Sequence, residues 1–593
     1  MKPAHFILSV FLILLAGRLL AVPPATPKRP VTDTYHGVTI TDDYRWLEEG
    51  KSKEVQAWSD AQNASARAYL DTLPGVESLR KRLTAILSAS RTGHSALTLR
   101  GGQLFGLRFQ PPKQQPFLVV MPAPDRPDKA RVLLDPNEID KKGTTAIDWF
   151  VPSPDGKLIA VSLSQGGSES GDVHIYDTAT TKPVYEVVPR VHGGTAGGDL
   201  AWTPDGKGFF YTRYPRGQER PPEDRDFYQQ VYFHALGTPT EQDRYELGKD
   251  LPRIAEIRLE MHDASGWLLA SVQNGDSGQF AHYLRTPEGH WKQFAAFAEE
   301  IVQAAFGPKE ELFLVSRHGA PRGKILRLSV TDLDISKAKV IVPEGPDTIV
   351  TDFYNMSSRQ TVLPTASRLY VTYQLGGPSA IRAFDPNGRP VAAPKQLPIS
   401  TVSGLTPLMG DDLLFADGSY VEPRNHYLYR AQKDETVKLA LETPPPVELN
   451  DVTVVREIAT SKDGTKVPVN ILVPKGVKRD GMNPCLVTGY GGFGISQQPG
   501  FNAAWRVLFD HGFVVAVANL RGGGEFGEAW HRAGNLTNKQ NVFDDFAAVL
   551  KHMIDQRYTA PQHLAIVGGS NGGLLMGATL TQHPELVKAV VSF

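Results

Sequence analysis

The sequence has a single cysteine, Cys485, among 593 residues. A disulfide within the chain and any metal site or iron–sulfur cluster built from cysteines are therefore excluded. An excess of charge is also lacking, because 63 Lys and Arg residues balance 64 Asp and Glu residues and leave a net charge of −1. Such a chain has no electrostatic reason to bind phosphate backbones, so we expect no nucleic-acid partner. The 16 histidines include no HExxH pair, so neither a metal nor another cofactor is predicted.

Long apolar runs are absent beyond the N-terminus. There, Lys2 precedes an apolar run of about eleven residues, from Phe6 to Ala16, and the small residue Ala21 stands just before a proline pair. The run is shorter than the ~20 residues of a membrane-spanning helix, and the pattern resembles a secretory signal peptide. We therefore expect that residues 1–22 are removed, that the protein is secreted or periplasmic, and that it does not associate with a membrane afterwards. A retained anchor is the alternative.

The middle of the chain repeats a turn followed by an apolar, β-rich run. Ser153–Lys157 (SPDGK) recurs as Thr203–Lys207 (TPDGK), and looser copies bring the number of units to seven. The seven apolar runs begin at Leu104, Leu158, Phe209, Trp267, Leu312, Leu369 and Leu413. Repeats of about 40–50 residues that each form a small antiparallel sheet predict a β-propeller. We assign seven blades to residues 76–435, with a pair of β-sandwiches as the alternative.

The flanks of this region have another pattern. Residues 30–75 contain a helical stretch, and residues 436–593 alternate strands with helices, which predicts an α/β domain. Phe513–Asn519 is apolar without alternation, as a buried strand of a parallel sheet requires. Phe543, Phe546, Val549 or Leu550 and Met553 share one helical face, and we expect Asp544 and Asp545 in the first turn of that helix, where its dipole favours acids.

One turn of the α/β region carries a nucleophile motif. Gly568-x-Ser570-x-Gly572 follows the strand Leu564–Val567 and precedes a helical run. Glycines at both flanks permit a turn so sharp that the serine hydroxyl projects at the helix N-terminus. The N–H of Asn571, directly after the serine, is the expected first donor to an oxyanion. A glycine-rich helix start without chemistry is the alternative.

A second glycine-rich segment, Gly489–Gly494 (GYGGFG), follows an earlier strand of the same domain. An α/β-hydrolase takes its second oxyanion donor from a loop at this place. Tyr490 is predicted to supply a hydroxyl there, and Phe493 an apolar wall for a substrate side chain. Ordinary aromatic packing over the loop is the alternative for Tyr490.

A third glycine-rich segment, Gly522–Gly527, matches the dinucleotide fingerprint G-x-G-x-x-G. The acids that follow, Asp544 and Asp545, open a helix, whereas the acid of that fingerprint ends a strand. We therefore interpret the segment as a tight loop that Arg521 anchors through an ion pair, and not as a nucleotide site.

Taken in order, five motifs resemble the prolyl oligopeptidase family of serine peptidases. They are YRWLE from Tyr44, SKDGT from Ser461, GYGGF from Gly489, NLRGGGEFG from Asn519 and GGSNGG from Gly568. The resemblance implies an α/β-hydrolase domain, built from both chain ends, that a seven-bladed propeller caps. It implies Ser570 as nucleophile, Tyr490 and the Asn571 N–H as the oxyanion hole, and Phe493 and Asn571 as the border of a proline pocket.

Asn571 after the serine resembles the prolyl-specific branch, so the expected substrates are short proline-containing peptides and the expected enzyme is a monomeric endopeptidase. A member of the same family with another side-chain preference is an alternative.

The sequence departs from the family in its last residues. Triad residues in this fold follow the order Ser, Asp, His, but the 23 residues after Ser570 (593 − 570) contain no Asp and one histidine, His583. We therefore expect that the hydrolase domain is incomplete at the C-terminus, that the chain is a fragment, and that it is inactive as given. If the C-terminus is natural, a catalytically inactive, peptide-binding propeller protein is the alternative.

Overall fold

A computed structural model describes residues 23–89, 91–193, 197–351 and 361–593, so the predicted signal peptide lies outside the described residues. The described chain divides into two compact units, residues 23–85 and 86–593. In the first unit, a hairpin of β1 (Val31–Tyr35) and β2 (Val38–Asp42) precedes the helix α1 (Lys53–Leu70). The Ser52 hydroxyl caps α1 by accepting a hydrogen bond from the Val55 N–H at 3.2 Å, and the predicted helical stretch is confirmed. Within the described chain, no helix combines the length and hydropathy that a bilayer span requires.

The second unit contains seven antiparallel sheets of four or five strands, which confirms the seven-bladed propeller. In chain order the first four blades are β3 to β6 (Gly93–Arg100, Gln103–Phe109, Phe117–Met121, Arg131–Leu134), β7 to β10 (Thr145–Pro152, Leu158–Gln165, Gly171–Asp177, Pro183–His192), β11 to β14 (Leu200–Trp202, Gly208–Arg213, Gln230–Ala235, Arg244–Leu247) and β15 to β18 (Ala255–Met261, Leu268–Asn274, Phe280–Arg285, Trp291–Ala295). The last three are β19 to β22 (Ile301–Phe306, Glu311–Ser316, Lys324–Ser329, Lys339–Val342), β23 to β27 (Thr348–Ile349, Val362–Pro364, Leu369–Gln374, Ser379–Phe384, Pro390–Val391) and β28 to β31 (Ser400–Pro407, Leu413–Ser419, Asn425–Arg430, Glu435–Lys438).

Each of the seven predicted apolar runs coincides with a central, buried strand of one blade: β4, β8, β12, β16, β20, β25 and β29. The turn before such a strand is fixed by its sequence. In the second blade, the Asp155 carboxylate accepts hydrogen bonds from the Ser153 hydroxyl at 2.8 Å and from the Lys157 N–H at 3.0 Å, and Gly156 has φ +69°. The Asp155 carboxylate stabilises the turn by its hydrogen bonds, and Gly156 adopts the positive φ that the turn requires, as the residue types predict.

The ring closes between the first and the last blade. Leu97 and Leu104 of the first blade share one apolar core with Leu414 and Leu428 of the last, and the Thr406 hydroxyl donates a 2.9 Å hydrogen bond to the Leu97 carbonyl. At the centre, a cavity of about 670 Å³ is lined mainly by the first strands of the first five blades and the seventh.

The α/β domain is a six-stranded sheet in the order β32-β33-β35-β34-β36-β37. Its strands are β32 (Val452–Thr460), β33 (Lys466–Pro474), β34 (Cys485–Thr488), β35 (Val514–Ala518), β36 (Leu564–Gly568) and β37 (Ala589–Ser592). The first three in the sheet order pair antiparallel, and the last four pair parallel. The other α-helices of the described residues are α2 (Val76–Ser88), α3 (Pro136–Ile139), α4 (Trp505–Asp510), α5 (Glu528–Arg532), α6 (Gln540–Asp555) and α7 (Asn571–Gln582).

Helix α6 packs the predicted apolar face, including Phe546, Val549 and Met553, against this sheet. The prediction that Asp544 and Asp545 occupy its first turn is wrong, because the helix begins at Gln540 and both acids lie in the second turn. Asp545 is buried and pairs with Arg521. Its position is therefore explained by an ion pair and not by the helix dipole.

The last blade and the α/β sheet share a core. Tyr420, in the turn after β29, is only 2% exposed and packs among apolar residues of the α/β domain that include Leu472 and Val515. Nearby, the Arg456 guanidinium donates hydrogen bonds to the carbonyls of Leu375 and Gly376 in the sixth blade, at 3.0 and 2.6 Å. The propeller therefore contacts the α/β domain through buried side chains and charged hydrogen bonds.

A buried carboxyl lies beside this contact. Glu525 is 1% exposed, its Oε1 accepts hydrogen bonds from the Gln497 N–H and the Asn519 amide, and its Oε2 has no partner among the described residues. Burial raises the pKa of Glu525 to about 7, although these hydrogen bonds and Arg456 act in the opposite direction. The fold therefore favours the neutral carboxyl.

This carboxyl makes stability depend on pH. Folding raises the pKa of Glu525 from its ordinary value of 4.5. Its contribution to the free energy of unfolding is therefore fully present below about pH 4.5 and is lost as the pH rises through about 7. We expect that Glu525→Gln removes this loss, so the free energy of unfolding at pH 8 rises by about 1–3 kcal/mol and changes little at pH 4.5. Thermal unfolding of both proteins from pH 4.5 to 8 measures the difference, and two parallel curves would contradict the assignment.

Candidate active site

The sharpest turn of the α/β domain lies between β36 and α7. Ser570 has φ +56° and ψ −124°, an unusual conformation for a residue with a side chain, and it is exposed. A glycine is needed at 568, because a Cβ there would lie 2.5 Å from the Gly572 carbonyl oxygen. The predicted strand, turn and helix are confirmed, and the serine hydroxyl is accessible.

The first turn of α7 leaves a donor available beside this serine. The N–H groups of Gly572 and Gly573 donate to the carbonyls of Gly569 and Ser570, each at 2.8 Å. Among the described residues, the Asn571 N–H has no hydrogen-bond acceptor. A free N–H at the N-terminus of a twelve-residue helix favours negative charge, so this group is placed to bind an oxyanion.

The glycine-rich loop after β34 packs against the elbow. Gly491, Phe493 and Gly494 all have positive φ values, between +55° and +67°. A Cβ on Gly492 would lie 2.6 Å from the Asn571 amide, so the close approach requires glycine. Tyr490 is half-buried in this loop, and Phe493 is 46% exposed and accessible to a ligand. The structure thus brings the Tyr490 loop to Asn571, the residue that directly follows Ser570.

The carboxamide of Asn571 is occupied by the protein itself. Its Nδ2 donates to the Tyr490 carbonyl at 2.6 Å, and its Oδ1 accepts from the Lys539 ammonium at 2.9 Å. The same ammonium donates to the Gly491 carbonyl at 2.8 Å. The backbone N–H is therefore the free group that Asn571 offers to a substrate. Lys539 carries no motif, and nothing in the sequence singles it out.

Arg521 anchors the neighbouring glycine loop, as its place beside the glycines predicts. Its guanidinium donates to Asp545 at 2.9 and 2.5 Å and to Asp463 at 2.5 Å. Hydrogen bonding to Asp545 is the largest cause that raises the pKa of Arg521, and hydrogen bonding to Arg521 lowers the pKa of Asp463 to about 2. The anchored loop in turn fixes the loop that carries Tyr490, since the Gly494 N–H donates to the Gly522 carbonyl at 2.9 Å.

In the described chain, no histidine or carboxylate is hydrogen-bonded to the Ser570 hydroxyl. The nearby histidines have other partners: His531 lies 3.4 Å from Glu528, His552 lies 2.8 Å from Glu457, and His583 lies 3.3 Å from Glu585. The described site thus combines an accessible serine with a free backbone N–H, and no base is bonded to that serine among the described residues.

The single cysteine plays no part in this site. Cys485 is fully buried in β34, and burial raises the pKa of its thiol to about 12. A thiol of that kind is unreactive at neutral pH.

Both the propeller region and the α/β region of the chain match models of known protein families. Residues 23–441 match the model of the prolyl oligopeptidase N-terminal β-propeller domain, and residues 499–593 match the model of the prolyl oligopeptidase family. A prolyl endopeptidase of Elizabethkingia meningoseptica is 30% identical over 95% of this chain and 77% of its own length. A prolyl endopeptidase of Dictyostelium discoideum is 28% identical over 94% of this chain and 80% of its own length. A solved structure from work on two prolyl endopeptidases is 32% identical, with a TM-score of 0.85 over 96% of this chain and 82% of that chain.

Proposed function

Since the chain belongs to the prolyl oligopeptidase family of serine peptidases, we propose that it hydrolyses short peptides on the C-terminal side of proline. The observation that carries this proposal is the accessible Ser570, held at φ +56° beside the free N–H of Asn571. A strained serine at the start of a helix, with oxyanion donors next to it, is the arrangement that acyl transfer needs.

We propose the following reaction for these groups. The Ser570 oxygen attacks the carbonyl carbon of the scissile bond, and a histidine takes the serine proton and later gives it to the leaving amine. The negative charge that develops on the carbonyl oxygen is stabilised by the Asn571 N–H and the Tyr490 hydroxyl. Water then attacks the acyl carbon while the histidine takes its proton. The Ser570 oxygen leaves and receives that proton back from the histidine.

This reaction needs a histidine beside Ser570 and an aspartate that orients it, and the described residues supply neither. Because they follow the nucleophile along the chain in this fold, we propose that both are encoded downstream of Phe593. Sequencing the gene and its transcript across that codon tests this part. An in-frame Asp followed by a His supports it, and a stop codon directly after Phe593 contradicts it.

The proline preference is tested with the encoded protein and blocked dipeptide reporters. We propose that Phe493 provides an apolar surface for the proline ring, because its side chain is exposed in the loop that carries Tyr490. Release of a fluorophore from a Gly-Pro reporter, without release from matched Gly-Ala and Gly-Arg reporters, supports the proposal. The reverse order of rates favours a family member with another preference.

Loss of the Tyr490 hydroxyl tests the oxyanion hole. We expect that Tyr490→Phe lowers kcat by about 10²-fold, because one donor of two disappears while the ring still packs in the loop. Steady-state kinetics with the Gly-Pro reporter measures this. Tyr558→Phe is the control, since its hydroxyl bonds to Glu457 away from the site, and equal losses in both variants would contradict the role of Tyr490.

A peptide-binding role without hydrolysis is the second candidate. One observation favours it: no base accompanies Ser570 among the described residues. Under this candidate, the encoded protein binds proline-containing peptides but shows no turnover above that of its Ser570→Ala variant.

We further propose export to the periplasm or the medium, on the pattern of residues 1–22, and a monomeric enzyme. N-terminal sequencing of the protein from its native host would show a start near Pro23 if the signal peptide is removed. Light scattering of the purified enzyme gives its mass, for which the monomer is the expected value.

A further inference from the structure

Lys539 connects the two parts of the predicted oxyanion hole. It lies directly before α6, and its ammonium donates to the Gly491 carbonyl at 2.8 Å and to the Asn571 Oδ1 at 2.9 Å. Gly491 directly follows Tyr490, and Asn571 directly follows Ser570. One side chain therefore bonds to the residue after Tyr490 and to the side chain of Asn571, whose backbone N–H is the other proposed donor.

The ammonium has no acid beside it. Lys539 is half-buried, and no carboxylate of the described chain lies within ion-pair distance of its Nζ. Burial lowers its pKa from the ordinary value. A cation that loses water without gaining a counter-ion is unfavourable unless its hydrogen bonds compensate. Its two neutral acceptors, Gly491 and Asn571, are therefore the groups that keep it in place.

These bonds fix the direction of the loop. The carbonyls of Tyr490 and Gly491 are consecutive, and they are held by the Asn571 amide and by Lys539 respectively. Lys539 also fixes the Asn571 amide, since its Oδ1 accepts from the ammonium while its Nδ2 donates to the loop. Two successive peptide planes are thereby oriented, and with them the backbone from which the Tyr490 side chain extends.

We propose that Lys539 is a positioning residue for the hydrolysis proposed above: by bridging Gly491 and Asn571, it holds the Tyr490 hydroxyl and the Asn571 N–H in the arrangement that binds the oxyanion. This inference rests on that proposed function. It assigns no contact between Lys539 and substrate. Donors that are fixed before the reaction stabilise the transition state most effectively, and small displacements weaken them.

The test begins with Lys539→Met, which keeps an apolar stem of similar length and removes both hydrogen bonds. We expect kcat for the Gly-Pro reporter to fall about 10- to 100-fold while KM stays within about threefold, because the loss appears in the transition state. The matched control is Lys551→Met on the exposed face of α6, a lysine without a hydrogen bond among the described residues. Unchanged kcat in Lys539→Met, or an equal loss in Lys551→Met, would overturn the proposal.

Chemical rescue separates positioning from a general structural role. Lys539→Cys treated with bromoethylamine regains an ammonium at nearly the original reach, and Cys485 is buried and does not compete. We expect kcat to recover at least tenfold after this treatment, whereas the same reagent leaves the wild-type enzyme unchanged. Complete alkylation of residue 539 without recovery would contradict the proposal.

Amide hydrogen exchange tests the inference independently of turnover. In Lys539→Met, we expect faster exchange in the peptide that covers 489–494 and unchanged exchange in β35, because the change is confined to the loop. If the wild-type enzyme hydrolyses no proline reporter, the proposed function fails and the exchange experiment decides alone. Equal exchange of the loop in wild type and Lys539→Met would then overturn the positioning role.

Discussion

Replacing Ser570 by alanine is expected to lower hydrolysis of a Gly-Pro reporter by about 10⁶-fold, to the background rate, while the fold is kept. The hydroxyl is the group that attacks, and no other side chain of the elbow replaces it. Alanine removes one oxygen atom from an exposed position, so packing is undisturbed. The measurement is kcat/KM of the protein that the gene encodes, beside its thermal unfolding midpoint.

The control for this variant is Ser592→Ala. Ser592 ends β37, the strand next to the elbow, and its hydroxyl makes a single long hydrogen bond of 3.3 Å to the Gly573 carbonyl. Its loss is expected to change turnover less than about threefold. Retained turnover in Ser570→Ala would show that Ser570 is not the nucleophile and would remove the basis of the proposed function.

Replacing Asp545 by alanine is expected to destabilise the protein by about 3–5 kcal/mol. Asp545 is fully buried and accepts hydrogen bonds from Arg521, whose guanidinium is itself 6% exposed. Removing one partner of a buried ion pair leaves the other charge poorly compensated. Asp463 keeps its two hydrogen bonds from Arg521, but its side chain is about half-exposed and screened by water. Chemical denaturation monitored by tryptophan fluorescence gives the change in free energy.

The neighbouring acid provides the matched control. Asp544 accepts one hydrogen bond from the Gln540 amide within α6, so Asp544→Ala is expected to cost less than about 1 kcal/mol. A similar small cost for Asp545→Ala would contradict the importance of the pair. We also expect Asp545→Ala to lower turnover, because Arg521 precedes the glycine loop that holds Gly494.

The parts of the fold that the sequence predicts correctly are those with local causes. The seven blades follow from turns such as Ser153–Lys157, whose aspartate and glycine make their own hydrogen bonds within five residues. The elbow at Ser570 follows from glycines that a strand-to-helix turn requires at fixed offsets. In both cases the residue types and their spacing carry the physical reason, so no distant contact is needed.

The parts that sequence reasoning misses depend on distant side chains. Asp545 is assigned to the first turn of a helix because of its charge, whereas its burial is explained by Arg521, 24 residues earlier. Lys539 reaches Gly491 across 48 residues. The hydrogen bond from the Asn571 amide to the Tyr490 carbonyl likewise joins residues that are distant in the sequence. Neither periodicity nor motif spacing encodes such contacts, because they arise only when separate loops meet.

The insertion of Tyr420 into the core of the α/β domain has a consequence for cooperativity. The ring belongs to the last blade, yet it shares one apolar core with Leu472 and Val515 of the neighbouring domain. Unfolding of that blade would leave a cavity in the core of the α/β domain, and unfolding of the α/β sheet would expose the Tyr420 ring to water. The propeller and the α/β domain should therefore unfold together and give one calorimetric endotherm, although they are two different folds.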